Sequence, residues 1–252
     1  MARIFRKPDR LPNQRYLLLI GAPRSGTTLL ATMIGRHAEV GMVNEDVSGK
    51  ALVKVLGKPV TGNKLCVPNQ IQLSRRGGRF PTLLRKLGVI AESPRSRYCI
   101  LDYLELSNLK LVAILRNGND AVSSMMGRGK CRFKKAARRW AEAVETIFDL
   151  RDRCGERMLI VGFEELLLDP ENTMKKVCSF LGLPYQEQML DGYRYNRYYP
   201  QALLDKEKAY RSRKEQIDFG LERRVPAAWE KYQRLLLDIP EAAACLRDFC
   251  SK

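Results

Sequence analysis

Apolar positions along the chain follow two rhythms. Continuous apolar runs at 16–22 (YLLLIGA), 111–115 (LVAIL) and 158–163 (MLIVGF) predict strands covered on both faces, because a parallel strand between two helix layers shows no polar alternation. Over 25–36, 118–126, 133–153 and 170–181 apolar residues instead recur at three- and four-residue spacing, as in helices with one buried face. Pro170 suits a first helical turn, where its missing N–H costs nothing. The alternation predicts an α/β fold of three layers, a central mostly parallel sheet flanked by helices. At 252 residues, one domain with a well-buried core is expected. The region after Tyr193 is polar and aromatic and follows neither rhythm.

Open sheets of this kind gather ligands at the carboxyl ends of their strands, which points to the loops at 21–28 and 116–120. The first, GAPRSGTT, joins a strand to a helix, and the N–H groups of such a turn point at whatever anion sits there. The nucleotide-hydrolase form reads G-x-x-x-x-G-K-[ST]. Here Gly21 and Gly26 are followed by Thr27 and Thr28, and the positive charge stands inside the loop as Arg24. The bland alternative is an ordinary turn with Ser25 as a helix cap. The second stretch, ILRNGNDAVSS, sets Arg116 at a strand end and Ser124 farther along the next helix, with Ser123 in that role if the register slips.

Together these stretches resemble the sulfotransferase superfamily, whose members share a P-loop-type fold and bind 3′-phosphoadenosine-5′-phosphosulfate (PAPS). The resemblance implies that Arg24, Ser25, Gly26, Thr27 and Thr28 bind the 5′-phosphosulfate end, while Arg116 and Ser124 bind the 3′-phosphate. FEELLLDPENTMKKVCSFLGLPY at 163–185 is similar to the family's segment leading into F-L-G-L-P. GNKLCVP, with Lys64, is similar to its lysine-bearing element near the transferred group. The resemblance runs over 16–185, the expected cofactor-binding core, and leaves 186–252 for the acceptor or a lid. It also implies a catalytic base. The only histidine, His37, reads as structural, and the alignment gives the base position to Glu45, with Asp46 beside it as the substitute. A glutamate suits the role if burial raises its pKa or the acceptor hydroxyl sits tightly against it. Arg24 and Lys64 then offset the charge that grows on the bridging phosphate oxygen. No metal is implied, and neither a Walker lysine nor an obvious carboxylate cluster for magnesium is present.

Charge widens the range of partners without choosing among them. Lys and Arg total 45 against 28 Asp and Glu, a formal +17, which favours anionic ligands such as an acidic glycan or peptide. A small hydroxylated acceptor also fits. The basic run GRGKCRFKKAARRW reads first as a solvated helix face. Arg213 and Lys214 loosely match a family element near the 3′-phosphate, but Glu215 replaces its glycine. Tyr193 to Tyr199, interleaved with Arg194 and Arg197, suit an acceptor pocket or lid more than a nucleic-acid surface. Seven scattered cysteines without a C-x-x-C pair read as free thiols in a reducing compartment. The basic N-terminus has no apolar core, and no window is long enough to span a bilayer. A soluble cytoplasmic enzyme is therefore expected, without membrane insertion and without specific nucleic-acid binding. Two rivals stay open: a P-loop kinase or phosphotransferase, and a non-catalytic polyanion-binding protein.

Overall fold

The computed structural model describes residues 14–48, 50–55, 57–74, 96–127, 131–195 and 217–239. Its centre is one five-stranded sheet: β1 (Arg15–Gly21), β2 (Val40–Asn44), β3 (Val60–Cys66), β4 (Leu109–Leu115) and β5 (Met158–Gly162). The strand order is β2-β3-β1-β4-β5, and every described pairing is parallel. The helices are α1 (Thr27–Ile34), α2 (Ile100–Leu104), α3 (Gly118–Gly127), α4 (Phe133–Cys154), α5 (Phe163–Leu168), α6 (Pro170–Leu181), α7 (Leu221–Arg224) and α8 (Pro226–Leu236). Three strands and four helices fall where the two rhythms put them. The additions are β2 and β3 on one side of the sheet and the short helices.

Successive β1 side chains point to opposite faces, and each face meets its own core. Leu17 and Leu19 pack with Val112, Ile114 and Val161 under α1 and α6. Leu18 and Ile20 pack with Leu111 and Ala113 under α4, whose Ala136, Trp140, Ala143, Val144 and Ile147 form the buried stripe. Each fully buried Leu or Ile contributes about 1.5–3 kcal/mol, so β1 anchors the sheet while its carboxyl end is left free to serve a ligand. Helix α6 ends as its sequence dictates. Asp169 caps it through the Asn172 N–H at 3.2 Å, Pro170 opens it, and Gly182 closes it at φ 66°.

The polar tail past 193 is helical in part. Helix α8 lies on α4 through Trp140, Trp229 and Tyr232, with ring centroids 5.5 to 5.9 Å apart. Trp140 also donates its indole N–H to the Arg116 carbonyl at 3.3 Å. Among the described residues, no helix is long and apolar enough to cross a membrane.

Candidate functional site

The sheet register sets the carboxyl ends of three neighbouring strands level, since Gly21 of β1 lies opposite Cys66 of β3 and Ile114 of β4. The chain leaves β1 toward β2 and β3 on one side and meets β4 and β5 on the other, which opens a crevice at the end of β1. Into it turns the loop at 21–28. A Cβ on Gly21 would come within 2.8 Å of Ile114, and one on Gly26 within 2.3 Å of the Phe163 ring. Gly26 also has φ 85° and is itself the residue capping α1. Ser25 is therefore no helix cap; its Oγ is buried without a hydrogen-bond partner.

Arg24 adopts φ 72°, a left-handed conformation that costs a non-glycine residue about 1–2 kcal/mol. Contacts across the loop hold it there. Arg24 donates from Nε to Ser124 Oγ at 3.1 Å, and its carbonyl accepts from Arg116 at 2.9 Å. The structure thus joins both sequence motifs directly, through Ser124 and Arg116. The Arg116 guanidinium lies 4.5 Å over the Phe163 ring, and its Nε is buried without a partner. Burial lowers its pKa against the opposing charges of Glu164 and Asp120. Burial in turn pushes the Glu164 and Asp120 carboxyls up. Glu164 accepts the Asn117 N–H at 3.3 Å, and the Asn119 side chain accepts the Phe219 N–H at 3.2 Å.

On the other side of the loop, β3 reads VTGNKLC and is buried at all seven positions. Lys64 is fully buried, and its Nζ donates to Glu45 Oε1 at 2.5 Å. The pairing follows from register: Asn44 lies opposite Lys64, so Glu45, the next residue, donates its N–H to the Lys64 carbonyl at 2.8 Å. Glu45 also has a positive φ, 58°. Two residues beyond Lys64 and on the same face of the strand, Cys66 Sγ lies 3.6 Å from Thr27 Oγ1. Burial pushes the Cys66 thiol up.

The Glu45 carboxyl does not have the raised pKa that the sequence reading named as one condition for a base. Burial pushes it up, but the hydrogen bond and charge of Lys64, with a hydrogen bond from Gln70, outweigh burial and hold it below the usual carboxylate range. Asp46 is engaged elsewhere. It pairs with Lys54 and accepts the Ser48 N–H at 2.8 Å.

Arg24, Ser25, Gly26, Thr27, Arg116 and Ser124 thus line one side of the crevice end, with Thr28 in the first turn of α1, and Lys64 and Glu45 flank it from β3 and β2. Sequence reasoning missed Gln70, Cys66, Phe163 and Glu164. Phe163 and Glu164 carried a signal in FEELLLDP directly after a strand, whereas nothing in the spacing marks Gln70. His37 is structural: its Nδ1 accepts the Glu39 N–H at 3.1 Å, which leaves Nε2 to donate to the Pro184 carbonyl at 2.8 Å. Lys134, Lys135 and Arg138 are exposed on α4, as a solvated face should be. Arg128, Lys130, Arg197, Arg213 and Lys214 lie outside the described residues. Among those described, no cluster of His, Cys, Asp and Glu could hold a metal ion.

A family model described as "Sulfotransferase family" matches residues 101–187. The chain is 25% identical over 195 residues to the protein-tyrosine sulfotransferase of Drosophila melanogaster, covering 68% of this chain and 38% of that one. It is 26% identical over 204 residues to protein-tyrosine sulfotransferase A of Caenorhabditis elegans, covering 69% and 52%. The chain thus spans about half the length, or less, of these curated relatives. Among solved structures, the sulfotransferase domain from the Synechococcus PCC 7002 olefin synthase superposes with a TM-score of 0.59 at 19% identity, covering 88% of this chain and 95% of that one. The sulfotransferase domain from the curacin biosynthetic pathway gives 0.58 at 14%, covering 90% and 98%. These two likenesses are of fold.

Proposed function

We propose that the chain is a PAPS-dependent sulfotransferase, a reading that the family-model match and the likeness to protein-tyrosine sulfotransferases support, and that it transfers a sulfuryl group from PAPS to a hydroxyl, less readily an amine, of its acceptor. Glu45 serves as the base, and Lys64 and Arg24 are the cations at the transferred group. The observation that carries this reading is the 2.5 Å Lys64–Glu45 pair at the crevice end, beside a loop whose basic residue is already tied to Ser124. A cation and a base in contact are the two groups that the transfer requires.

The residues present fit the donor. Ser25 Oγ and Arg116 Nε are buried polar atoms without partners, a state that costs free energy until a ligand satisfies them. Arg116 and Ser124 would hold a 3′-phosphate through charge-assisted hydrogen bonds. Ser25, Thr27, Thr28 and the first N–H groups of α1 would hold the 5′-phosphate. When bound, the donor supplies an activated sulfuryl group, whose bond to the phosphate oxygen breaks, leaving its electron pair there, as the acceptor oxygen bonds to sulfur. Glu45 takes the acceptor's proton. Lys64 and Arg24 offset the charge left on the phosphate oxygen.

The acceptor we favour is a tyrosine hydroxyl in an acidic peptide. Likeness to protein-tyrosine sulfotransferases and the formal +17 support it.

Calorimetric titration with adenosine 3′,5′-bisphosphate, with 5′-AMP and ATP–magnesium as controls, tests the donor. Binding that needs the 3′-phosphate and falls at least tenfold in Arg116→Ala is expected. Equal binding of all three would return the kinase reading. Sulfate transfer from PAPS to a tyrosine peptide flanked by aspartates tests the acceptor.

A further inference from the structure

The basic run at the start of α4 takes no part in the donor site, but two of its exposed side chains border a groove. Phe133, Ala137 and Ala141 of α4, with Val225 where α7 passes into α8, supply the apolar lining of this groove, whose volume is about 500 Å³. Lys134, Arg138 and Arg224 add positive charge to its border, and Glu142 and Glu145 add negative charge. Lys134, Arg138 and Glu142 stand on successive turns of one helix face, with Glu145 one turn farther, so the charges are ordered along the groove, cations first. From Lys134 to Glu145 the helix rises about 17 Å, the length of about five residues of extended peptide.

The cationic end is built around Arg224. Its Nε donates to the Phe219 carbonyl at 3.0 Å, and its guanidinium lies 5.1 Å over the Phe133 ring. Phe133 in turn packs on Phe219, with ring centroids 5.5 Å apart. A guanidinium anchored at one nitrogen and laid against a ring is already ordered, and its remaining N–H groups form the fork that matches a carboxylate. Arg138 reaches Glu142 at 3.6 Å, an exposed pair that a second carboxylate can share.

We propose that this groove is a docking site for an acidic segment of the protein acceptor, away from the hydroxyl that receives the sulfuryl group. Carboxylates meet Arg224 and Lys134, an apolar side chain covers Phe133 and Ala137, and an uncharged or basic residue meets Glu142 and Glu145. Naming the acceptor as the occupant rests on the peptide reading above; the binding chemistry of the groove does not. The order of the charges favours a peptide over a glycan or nucleic acid. Those polymers repeat their negative charge along their length, and the two glutamates repel it at the far end, whereas a peptide can be acidic at one end only. The groove is also joined to the donor side of the molecule, since the Phe219 N–H is held by the Asn119 side chain at 3.2 Å.

Fluorescence anisotropy on the full chain measures the docking directly, with a labelled tyrosine-free peptide, Asp-Asp-Leu-Ala-Lys between glycine-serine flanks, as the probe. A heparin oligosaccharide and oligo-dT are the competing probes, and thermal midpoints check that each variant folds. Arg224→Gln and Lys134→Gln should each weaken the peptide about fivefold or more, while Lys135→Gln should change it less than about twofold. Lys135 is the control because it is exposed in the same run but does not border the groove. Glu142→Gln combined with Glu145→Gln should tighten the oligosaccharide and loosen the peptide. Equal losses in all three single variants would mean general attraction to the +17 surface and overturn the proposal. So would an oligosaccharide or oligonucleotide that binds tighter than the peptide and loses more in Arg224→Gln. A second arm ties the groove to the acceptor: a tyrosine peptide joined to the probe sequence through a series of glycine-serine linkers should reach a KM about tenfold below that of the tyrosine peptide alone, with kcat unchanged and the gain lost in Arg224→Gln. If the probe binds but no linker lowers KM, the occupant is not the acceptor and the proposal fails. If the tyrosine peptide is not sulfated at all, the acceptor reading fails instead, and the anisotropy series still decides whether the groove takes an acidic peptide.

Discussion

Glu45 and Asp46 are neighbouring carboxylates that the fold treats differently. Glu45 meets a buried lysine at the crevice, whereas Asp46 faces an exposed one. Glu45→Gln, which keeps an acceptor for Lys64, should leave nucleotide affinity unchanged and lower transfer at least a hundredfold, while Asp46→Asn should cost less than tenfold; a peptide sulfation assay separates them. The pH signs also differ around the site. Folding lowers the Glu45 pKa from its ordinary 4.5, so the contribution of the Lys64 pair to stability is complete above that value and lost as pH falls through the lower folded value. Folding raises the Glu164 pKa through burial, so its cost is complete above the raised value and is relieved as pH falls. Glu164→Gln, which keeps an acceptor for the Asn117 N–H, should therefore raise Tm at pH 7, with the gain vanishing in acid. A fixed gain at every pH would count against that account. Gly26→Ala should destabilise the fold by about 2 kcal/mol or more, through left-handed backbone and contact with the Phe163 ring, measurable by urea unfolding.

Among the elements, the apolar runs made β1, β4 and β5 legible, because strands covered by helices on both faces can carry little that is polar. The same rule hid β3. VTGNKLC is wholly buried, yet Thr61, Asn63 and Lys64 interrupt its apolar pattern: Lys64 pairs with Glu45 and the Asn63 side chain donates to the Asp46 carbonyl, while Thr61 Oγ1 and Asn63 Oδ1 are buried without partners. Thus Lys64 was readable as a motif residue, but its burial and its pairing with Glu45 were not; both depend on register between β2 and β3. Gln70 lay beyond reach for a similar reason, as its hydrogen bond from the Cys66 N–H arises from the fold of a loop. Helix α8 went unread because its stripe is aromatic and short, and it forms by docking on α4. Trp140→Ala should accordingly cost about 3–5 kcal/mol and also weaken nucleotide binding, because it removes the indole N–H held by the Arg116 carbonyl. A lowered urea midpoint with unchanged affinity would mean that Arg116 is held without it.

Across the whole molecule, the formal +17 predicts that capture of an acidic peptide slows steeply as salt rises, while turnover of bound complex changes little; stopped-flow binding at two ionic strengths separates the two. One described contact reaches farther than its size suggests. The Asn119 side chain accepts the Phe219 N–H, and Gly118 lies so close to Leu221 and Trp140 that an added Cβ would come within 2.8 Å of both. The 116–120 loop and the start of the C-terminal helices are therefore pinned together, and they should open as one cooperative unit in hydrogen exchange. A nucleotide gripping Arg116 should slow deuterium uptake not only at 116–124 but also at 217–236, whose amides then serve as a clock for donor occupancy.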